Sequence, residues 1–125
     1  MLESVHSADA PKAIGPYNQA IRAGDFLFCS GQIPLDPQTG DLVAGDVAAQ
    51  TRRVMENIRA VLTAASVTFA NVAKTTIYLV DMDDFAAVNE VYGSYFSESP
   101  PARSTVAVAA LPRNSRLEIE VIAEL

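Results

Sequence analysis

The order of hydrophobic and polar residues divides the chain into short strand-like stretches and two longer stretches with helical spacing. After an irregular start, residues 18–24 and 25–34 have the apolar content of two short strands joined by a turn at Gly24-Asp25. From Asp46 onward, apolar residues recur every three or four positions. This spacing predicts a helix from about residue 47 to residue 65, with Asp46 as its N-cap.

The second half of the chain continues with a strand, a helix and two strands. Residues 71–82 are rich in β-branched and aromatic side chains, as in a strand, and residues 84–96 carry an apolar arc at helical spacing, with Asp83 or Asp84 as the cap. Two final strands are predicted over residues 103–111 and 116–125, separated by the turn PRNS. The order β-β-α-β-α-β-β predicts an α+β fold in which two amphipathic helices cover one face of a mixed sheet.

Alternation within the last two strands predicts what each sheet face carries. In the final strand, Glu118 and Glu120 lie on the face opposite to Leu117 and its apolar companions. In the strand before it, Arg103 and Thr105 share one face, and we interpret the alternation as placing Arg103 and Glu118 on the same kind of sheet face. A semi-polar face without a helix over it indicates oligomerisation, with the sheets forming an inner wall.

Composition and length restrict the class of protein. The 125 residues fit one domain spanning residues 1–125, and 50% of them are hydrophobic. No apolar run approaches the roughly 20 residues that a bilayer-spanning helix needs. The N-terminus lacks a basic segment followed by an apolar one, as in a secretory signal. We therefore expect a cytoplasmic, globular protein that does not interact with membranes.

Charge and rare residues argue against several kinds of chemistry. The formal net charge is -6, with no stripe of Lys and Arg, which argues against a nucleic-acid partner. A single cysteine, Cys29, and a single histidine, His6, do not suffice for a Cys/His zinc site. His6 lies near an N-terminus that we expect to be mobile, so a Ser-His-Asp triad is not expected either. We expect no metal and no cofactor.

Several polar residues within otherwise apolar segments are candidates for a site. Arg103 is either a solvated charge at a strand edge or a guanidinium fork that binds a carboxylate with two hydrogen bonds. Partial burial of Glu118 would raise its pKa and make it a base, but a surface strand also alternates Glu with apolar residues. Asn89 requires a hydrogen-bond partner, and Ser30-Gly31 is either a close approach to a ligand or a plain strand exit.

Four stretches of the chain carry a resemblance to a known family. They are AIGPYNQAI, FCSGQIPLDPQTG, VAKTTIYLVDMDDFAAVNEVY and PPARSTVAVAALPRNSRLEIEVIAEL. In this order they resemble the Rid family, also called the YjgF or L-PSP group, whose namesake members are reactive-intermediate (enamine and imine) deaminases. The resemblance begins at about residue 10 and covers the chain from there, and it depends on GPY, SGQIP and PARS followed by EIE.

The resemblance implies a fold and an activity. The fold is chorismate-mutase-like, in a homotrimer with a central β-barrel and active sites between subunits. The activity is cofactor-free hydrolysis of 2-imino acids, namely 2-iminopropanoate and 2-iminobutanoate, to 2-oxo acids and ammonia.

The resemblance also implies residue roles. Arg103 corresponds to the carboxylate-binding arginine and Glu118 to the glutamate that positions or activates water. The residues that correspond to the pocket lining are Tyr17, Ser30, Gly31 and Asn89. Thr105 stands where the archetypal deaminases carry a cysteine; it serves equally well if the backbone carbonyl holds the water, and alters the substrate range if thiol size or polarity matters. The segment between Phe96 and Arg103 is also shorter than in the archetype.

Two other functions stay open at this point. A non-catalytic protein that binds small carboxylates such as 2-oxo acids would use the same arginine without turnover. An endoribonuclease or translation inhibitor is a label that the family has also carried, and the net charge of -6 argues against it.

Overall fold

A single mixed sheet with two helices on one face forms the fold. The computed structural model describes residues 1–125. Its strands and helices, in chain order, are β1 (Glu3–Val5), β2 (Ala20–Ala23), β3 (Phe26–Cys29), α1 (Val47–Ala64), β4 (Val72–Leu79), α2 (Phe85–Gly93), β5 (Ala102–Ala107) and β6 (Leu117–Glu124). The sheet order is β1-β2-β3-β6-β4-β5, with β4 and β5 parallel and the other pairs antiparallel. The predicted α+β architecture is confirmed.

Local sequence signals account for the helix starts to different degrees. The Asp46 carboxylate accepts a hydrogen bond from the backbone N–H of Ala49 at 2.9 Å, as expected for an N-cap. Asp84 stands at the N-cap position of α2 but makes no capping bond, because its carboxylate accepts from Arg116 at 2.8 Å instead. Helix α2 also ends at Gly93, earlier than predicted, and the aromatic residues that follow it pack against the core as a separate turn.

The two sheet faces differ as the alternation in β6 predicts. Its apolar residues are buried against the helices, together with Ile77 and Leu79 of β4. The opposite face, called the open face below, has no helix over it. It carries the side chains of Lys74, Thr76, Tyr78, Glu118, Glu120 and Ile122, beside the exposed rings of Phe26 and Phe28.

The N-terminus is part of the sheet, so the expectation of an irregular start is wrong for residues 3–5. Strand β1 pairs with β2 through Ser4 and Ile21, and Val5 is buried. The Gln19 side chain holds the segment that follows β1 in place. Its Oε1 accepts a hydrogen bond from the Ser7 N–H at 2.6 Å, and its Nε2 donates one to the Pro11 carbonyl at 2.8 Å. A strand of three residues is too short for alternation to reveal, and a neighbouring strand supplies its hydrogen bonds.

Candidate functional site

Arg103 is held in a defined orientation at the start of the edge strand β5. Its guanidinium carbon lies 5.3 Å from the ring centroid of Phe85 and 5.2 Å from that of Tyr92, both on α2. Its Nη1 donates a hydrogen bond to Asn89 Oδ1 at 2.6 Å. Three residues of α2 thus orient the guanidinium, although Arg103 as a whole remains exposed to solvent.

The orientation of Arg103 leaves part of its hydrogen-bonding capacity free. Only Nη1 has a protein acceptor, and the residue is exposed. It lies in a cleft of about 380 Å³ whose lining residues are Asn89, Tyr92, Gly93, Pro100, Pro101 and Arg103. This surface, called the Arg103 cleft below, offers unpaired N–H donors of a fixed cation to an anion with planar oxygens.

Glu118 lies in a second cleft on the other side of the sheet. Its side chain packs directly over Gly31, and a β-carbon at position 31 would overlap the carboxylate. Partial burial raises the pKa of Glu118, and the negative charge of Glu120 raises it further. The cleft has a volume of about 380 Å³ and is called the Glu118 cleft below; its lining residues are Pro11, Lys12, Ile14, Tyr17, Gln19, Ser30, Gly31, Gln32, Ile33, Leu35, Pro112 and Glu118.

The structure contradicts the prediction that Arg103 and Glu118 share one kind of sheet face. Arg103 stands opposite Thr75, which is buried beneath the helices, whereas Glu118 stands opposite Tyr78 on the open face. Neighbouring residues in a sheet direct their side chains to the same face. Within one chain the two residues therefore lie on opposite sides of the sheet and line different clefts.

The predicted pocket residues divide between the two clefts. Tyr17, Ser30 and Gly31 join Glu118, while Asn89 joins Arg103. The Ser30 hydroxyl already donates to the Asn18 carbonyl at 2.6 Å, so it offers a ligand only its acceptor capacity.

Thr105 lines neither cleft with its side chain. It stands opposite Ile77 on the face that the helices cover, and its hydroxyl is buried without a hydrogen-bond partner. Its backbone groups, in contrast, lie at the edge of the sheet. Strand β5 pairs only with β4, and Val108 donates its N–H toward β4, to the Leu79 carbonyl at 2.8 Å. The alternation along β5 then directs the N–H and C=O groups of Arg103 and Thr105 toward the free edge of the sheet.

Comparison with known proteins settles the family. A family profile described as Endoribonuclease L-PSP matches residues 7–125. The chain belongs to this family. Among relatives of this L-PSP chain, Protein DfrA of Myxococcus xanthus is 58% identical over 123 residues, covering 97% of this chain and 94% of the relative. A mouse relative named 2-iminobutanoate/2-iminopropanoate deaminase is 49% identical over 119 residues, covering 95% of this chain and 88% of the relative.

A solved structure of a conserved Rid-family protein of unknown function from Yersinia pestis has the same fold. It superposes with a TM-score of 0.97 at 47% identity and covers 100% of both chains. Most of the other curated relatives carry generic RutC family names. Membership in the Rid group, which the motifs predict, is thus confirmed.

The L-PSP chain also has cleft residues that the motif comparison did not single out. Lys12 is the one cation that lines the Glu118 cleft, and Gln32 is a largely buried amide there. Tyr92 lies within the apolar arc that is predicted for residues 84–96, and its ring forms one wall beside Arg103. The sequence signal for Gln32 is its place within SGQIP, next to Gly31. No helix of this chain is long and apolar enough to cross a membrane.

Proposed function

We propose that this protein hydrolyses the C=N bond of small 2-imino acids, such as 2-iminopropanoate and 2-iminobutanoate, to give 2-oxo acids and ammonia without a cofactor. The main support is the Arg103 guanidinium, which Phe85, Tyr92 and Asn89 orient while its other N–H donors stay free. A 2-imino acid carries a carboxylate beside the reacting carbon, so one fixed cation both binds and orients it. The mouse relative named for this activity adds support at the level of the family.

The second group that this reaction needs is a base near neutral pH. The pKa of Glu118 lies above its ordinary value because the carboxylate is partly buried, and its cleft offers room for a small molecule. A carboxylate with a raised pKa accepts a proton from water more readily than an ordinary surface glutamate, and its protonated form then acts as the acid in the next step.

The proposed steps conserve atoms and charge. Glu118 takes a proton from a water molecule while the water oxygen adds to the imine carbon and the C=N electron pair moves to nitrogen. The protonated Glu118 then gives the proton to that nitrogen. The resulting carbinolamine carries a hydroxyl and an amino group. Glu118 takes the hydroxyl proton and delivers it to the amino nitrogen, so that the C=O bond forms as the carbon–nitrogen bond breaks and ammonia leaves. Arg103 holds the carboxylate throughout, and the Thr105 carbonyl at the free edge of β5 accepts a hydrogen bond from the water.

We further propose that each working site lies between subunits of a homotrimer. Arg103 and Glu118 lie on opposite sides of the sheet in one chain, so a substrate that contacts both takes them from two chains. The open face carries two exposed phenylalanine rings beside charged residues, which suits a face that meets other subunits.

An assay with the imine formed in situ tests the activity. An amino-acid oxidase generates the imine from alanine, and release of the 2-oxo acid and ammonia is followed with and without this protein. Arg103→Ala is expected to lower kcat/KM by about 100-fold or more, because charge-assisted hydrogen bonds to the carboxylate are lost. Arg52→Ala, at an exposed arginine of α1, is the matched control. Absence of acceleration by the wild type, or equal rates for the two variants, would refute the proposal.

A carboxylate-binding protein without activity is the second candidate, since the Arg103 cleft alone would suffice for it. Calorimetric binding of a 2-oxo acid without any imine hydrolysis would favour it. The ribonuclease implied by the family description is disfavoured by the net charge of -6, and RNA cleavage by purified protein that survives Arg103→Ala would support it.

A further inference from the structure

A hydrogen-bonded tyrosine and glutamate lie beside Glu118 on the open face. The Tyr78 hydroxyl donates to Glu120 Oε1 at 2.5 Å, which links β4 to β6. This is a short bond of the kind made to an ionised acceptor. The same bond and the charge of Glu120 raise the pKa of Tyr78, so the phenol keeps its proton and stays a donor.

The sheet register places this pair next to the proposed base. Tyr78 stands directly opposite Glu118, and Glu120 is two residues further along the same strand face. Residues two apart on a strand are about 7 Å from each other. This distance is shorter than the Debye length of about 8 Å at physiological ionic strength, so the two carboxylates influence each other.

Other titratable or charged groups around Glu118 come from each neighbouring element. They are Glu120 on β6, Arg116 directly before β6, Tyr78 on β4, and Lys12 and Tyr17 in the loop that lines the Glu118 cleft. Arg116 is paired with Asp84 at 2.8 Å, which partly compensates its charge. Burial is the larger cause of the raised pKa of Glu118, and among these groups Glu120 is the one whose charge raises that pKa further.

We propose that Glu120, fixed by the Tyr78 hydroxyl, is a positioning residue whose negative charge, together with burial, favours proton uptake by Glu118 from the attacking water. This inference rests on the proposed function, in which Glu118 is the base. Tyr78 prevents the Glu120 carboxylate from turning into solvent, where the repulsion would weaken. A merely structural link between β4 and β6 would affect stability but not the pH at which Glu118 ionises.

The test is the pH dependence of kcat/KM for imine hydrolysis in three variants. The rate of a base-catalysed step rises with pH as Glu118 ionises, and this rise marks the pKa of the free enzyme's base. Glu120→Gln removes the repelling charge and is expected to shift the rise to lower pH. Tyr78→Phe frees the Glu120 carboxylate and is expected to shift it in the same direction by a smaller amount.

Glu124→Gln is the matched control. It removes the same charge from the same strand and face, but Glu124 is six residues from Glu118, about 20 Å along the strand. No shift is expected there. An unchanged pH profile in both Glu120→Gln and Tyr78→Phe, with melting temperatures that show folded protein, would overturn the inference, as would an equal shift in Glu124→Gln.

Titration of Glu118 itself separates this inference from the proposed function. In protein labelled with ¹³C at Glu side-chain carboxyls, the Glu118 resonance is assigned from its loss in Glu118→Gln. Its midpoint is expected at lower pH in Glu120→Gln than in wild type, whether or not imine hydrolysis occurs. A moved midpoint without activity would refute the proposed function alone, and an unmoved midpoint with activity would refute this inference alone.

Discussion

Mixing two inactive variants tests whether each site takes Arg103 and Glu118 from different subunits. The two residues lie on opposite sides of the sheet within one chain, so one substrate does not reach both in the same chain. Under the proposed mechanism, Arg103→Ala removes the cation that binds the carboxylate, and Glu118→Gln removes the base that activates water. Equal amounts of the two variants are unfolded and refolded together so that the subunits mix at random.

The expected recovery follows from the geometry of a closed ring. A site between neighbours is intact only when the chain that provides Arg103 is the Glu118→Gln variant and its neighbour is the Arg103→Ala variant. Each condition holds with a probability of one half, so about one quarter of the sites are intact in a ring built from identical interfaces. The mixture should then regain about one quarter of the wild-type rate, well above the roughly 100-fold reduced rate of either variant alone.

Release of the 2-oxo acid from an imine formed in situ measures the recovery, and size-exclusion chromatography with light scattering gives the mass. A trimer has three times the chain mass of 13.3 kDa. The control is wild type mixed equally with a chain that carries both substitutions. If each site lies between two subunits, this mixture has about one quarter of the wild-type rate; if each site lies within one chain, it has about one half. No recovery in a mixture that forms mixed trimers would refute the shared site.

Three further predictions concern single positions. Thr105→Val should raise the free energy of unfolding by about 1 kcal/mol in a urea titration, because a buried hydroxyl without a partner is removed. Gly31→Ala should lower kcat/KM by up to about 100-fold with little loss of helical circular dichroism, because the added methyl group displaces the Glu118 carboxylate. Glu118→Gln should raise the free energy of unfolding at pH 7 but not at pH 4. Burial raises the folded-state pKa of Glu118, so ionisation destabilises the fold only as pH rises above the unfolded value of 4.5.

Each of these predictions has a clear contrary result. Thr75→Val is the control for Thr105→Val, because the Thr75 hydroxyl is bonded to the Tyr92 hydroxyl at 2.7 Å and its loss leaves a buried group unpaired. Equal destabilisation in both valine variants would contradict the role assigned to the unpaired hydroxyl. Undiminished activity in Gly31→Ala would show that Glu118 tolerates displacement. If Glu118→Gln stabilises the protein as much at pH 4 as at pH 7, its effect does not come from the ionisation of Glu118.

Features that depend on neighbouring residues in the chain could be predicted from the sequence. The start of α1 follows from an aspartate that bonds to an N–H three residues later, and the two faces of β6 follow from alternation along one strand. The candidate residues Arg103 and Glu118 were found from motifs in which each stands beside characteristic neighbours, as in PARS and EIE. None of these inferences requires knowledge of what packs against the segment.

Relations between segments could not be predicted in the same way. Alternation reveals the period of a strand but not which of its two faces meets the helices. For that reason the relative placement of Arg103 and Glu118 was predicted wrongly. Strand β1 was missed because its three residues owe their conformation to hydrogen bonds with β2.

The sequence by itself determined both helices, the five longer strands, the cap of α1 and the chemical groups available for a site, because these depend on spacing and side-chain chemistry within one segment. Only the tertiary structure decided that Phe85, Tyr92 and Asn89 orient Arg103, that Glu118 packs over Gly31, and that the two clefts lie on opposite sides of the sheet. The physical reason is that pairing partners, register and burial arise from contacts between residues far apart in the chain, and these contacts set orientation and pKa.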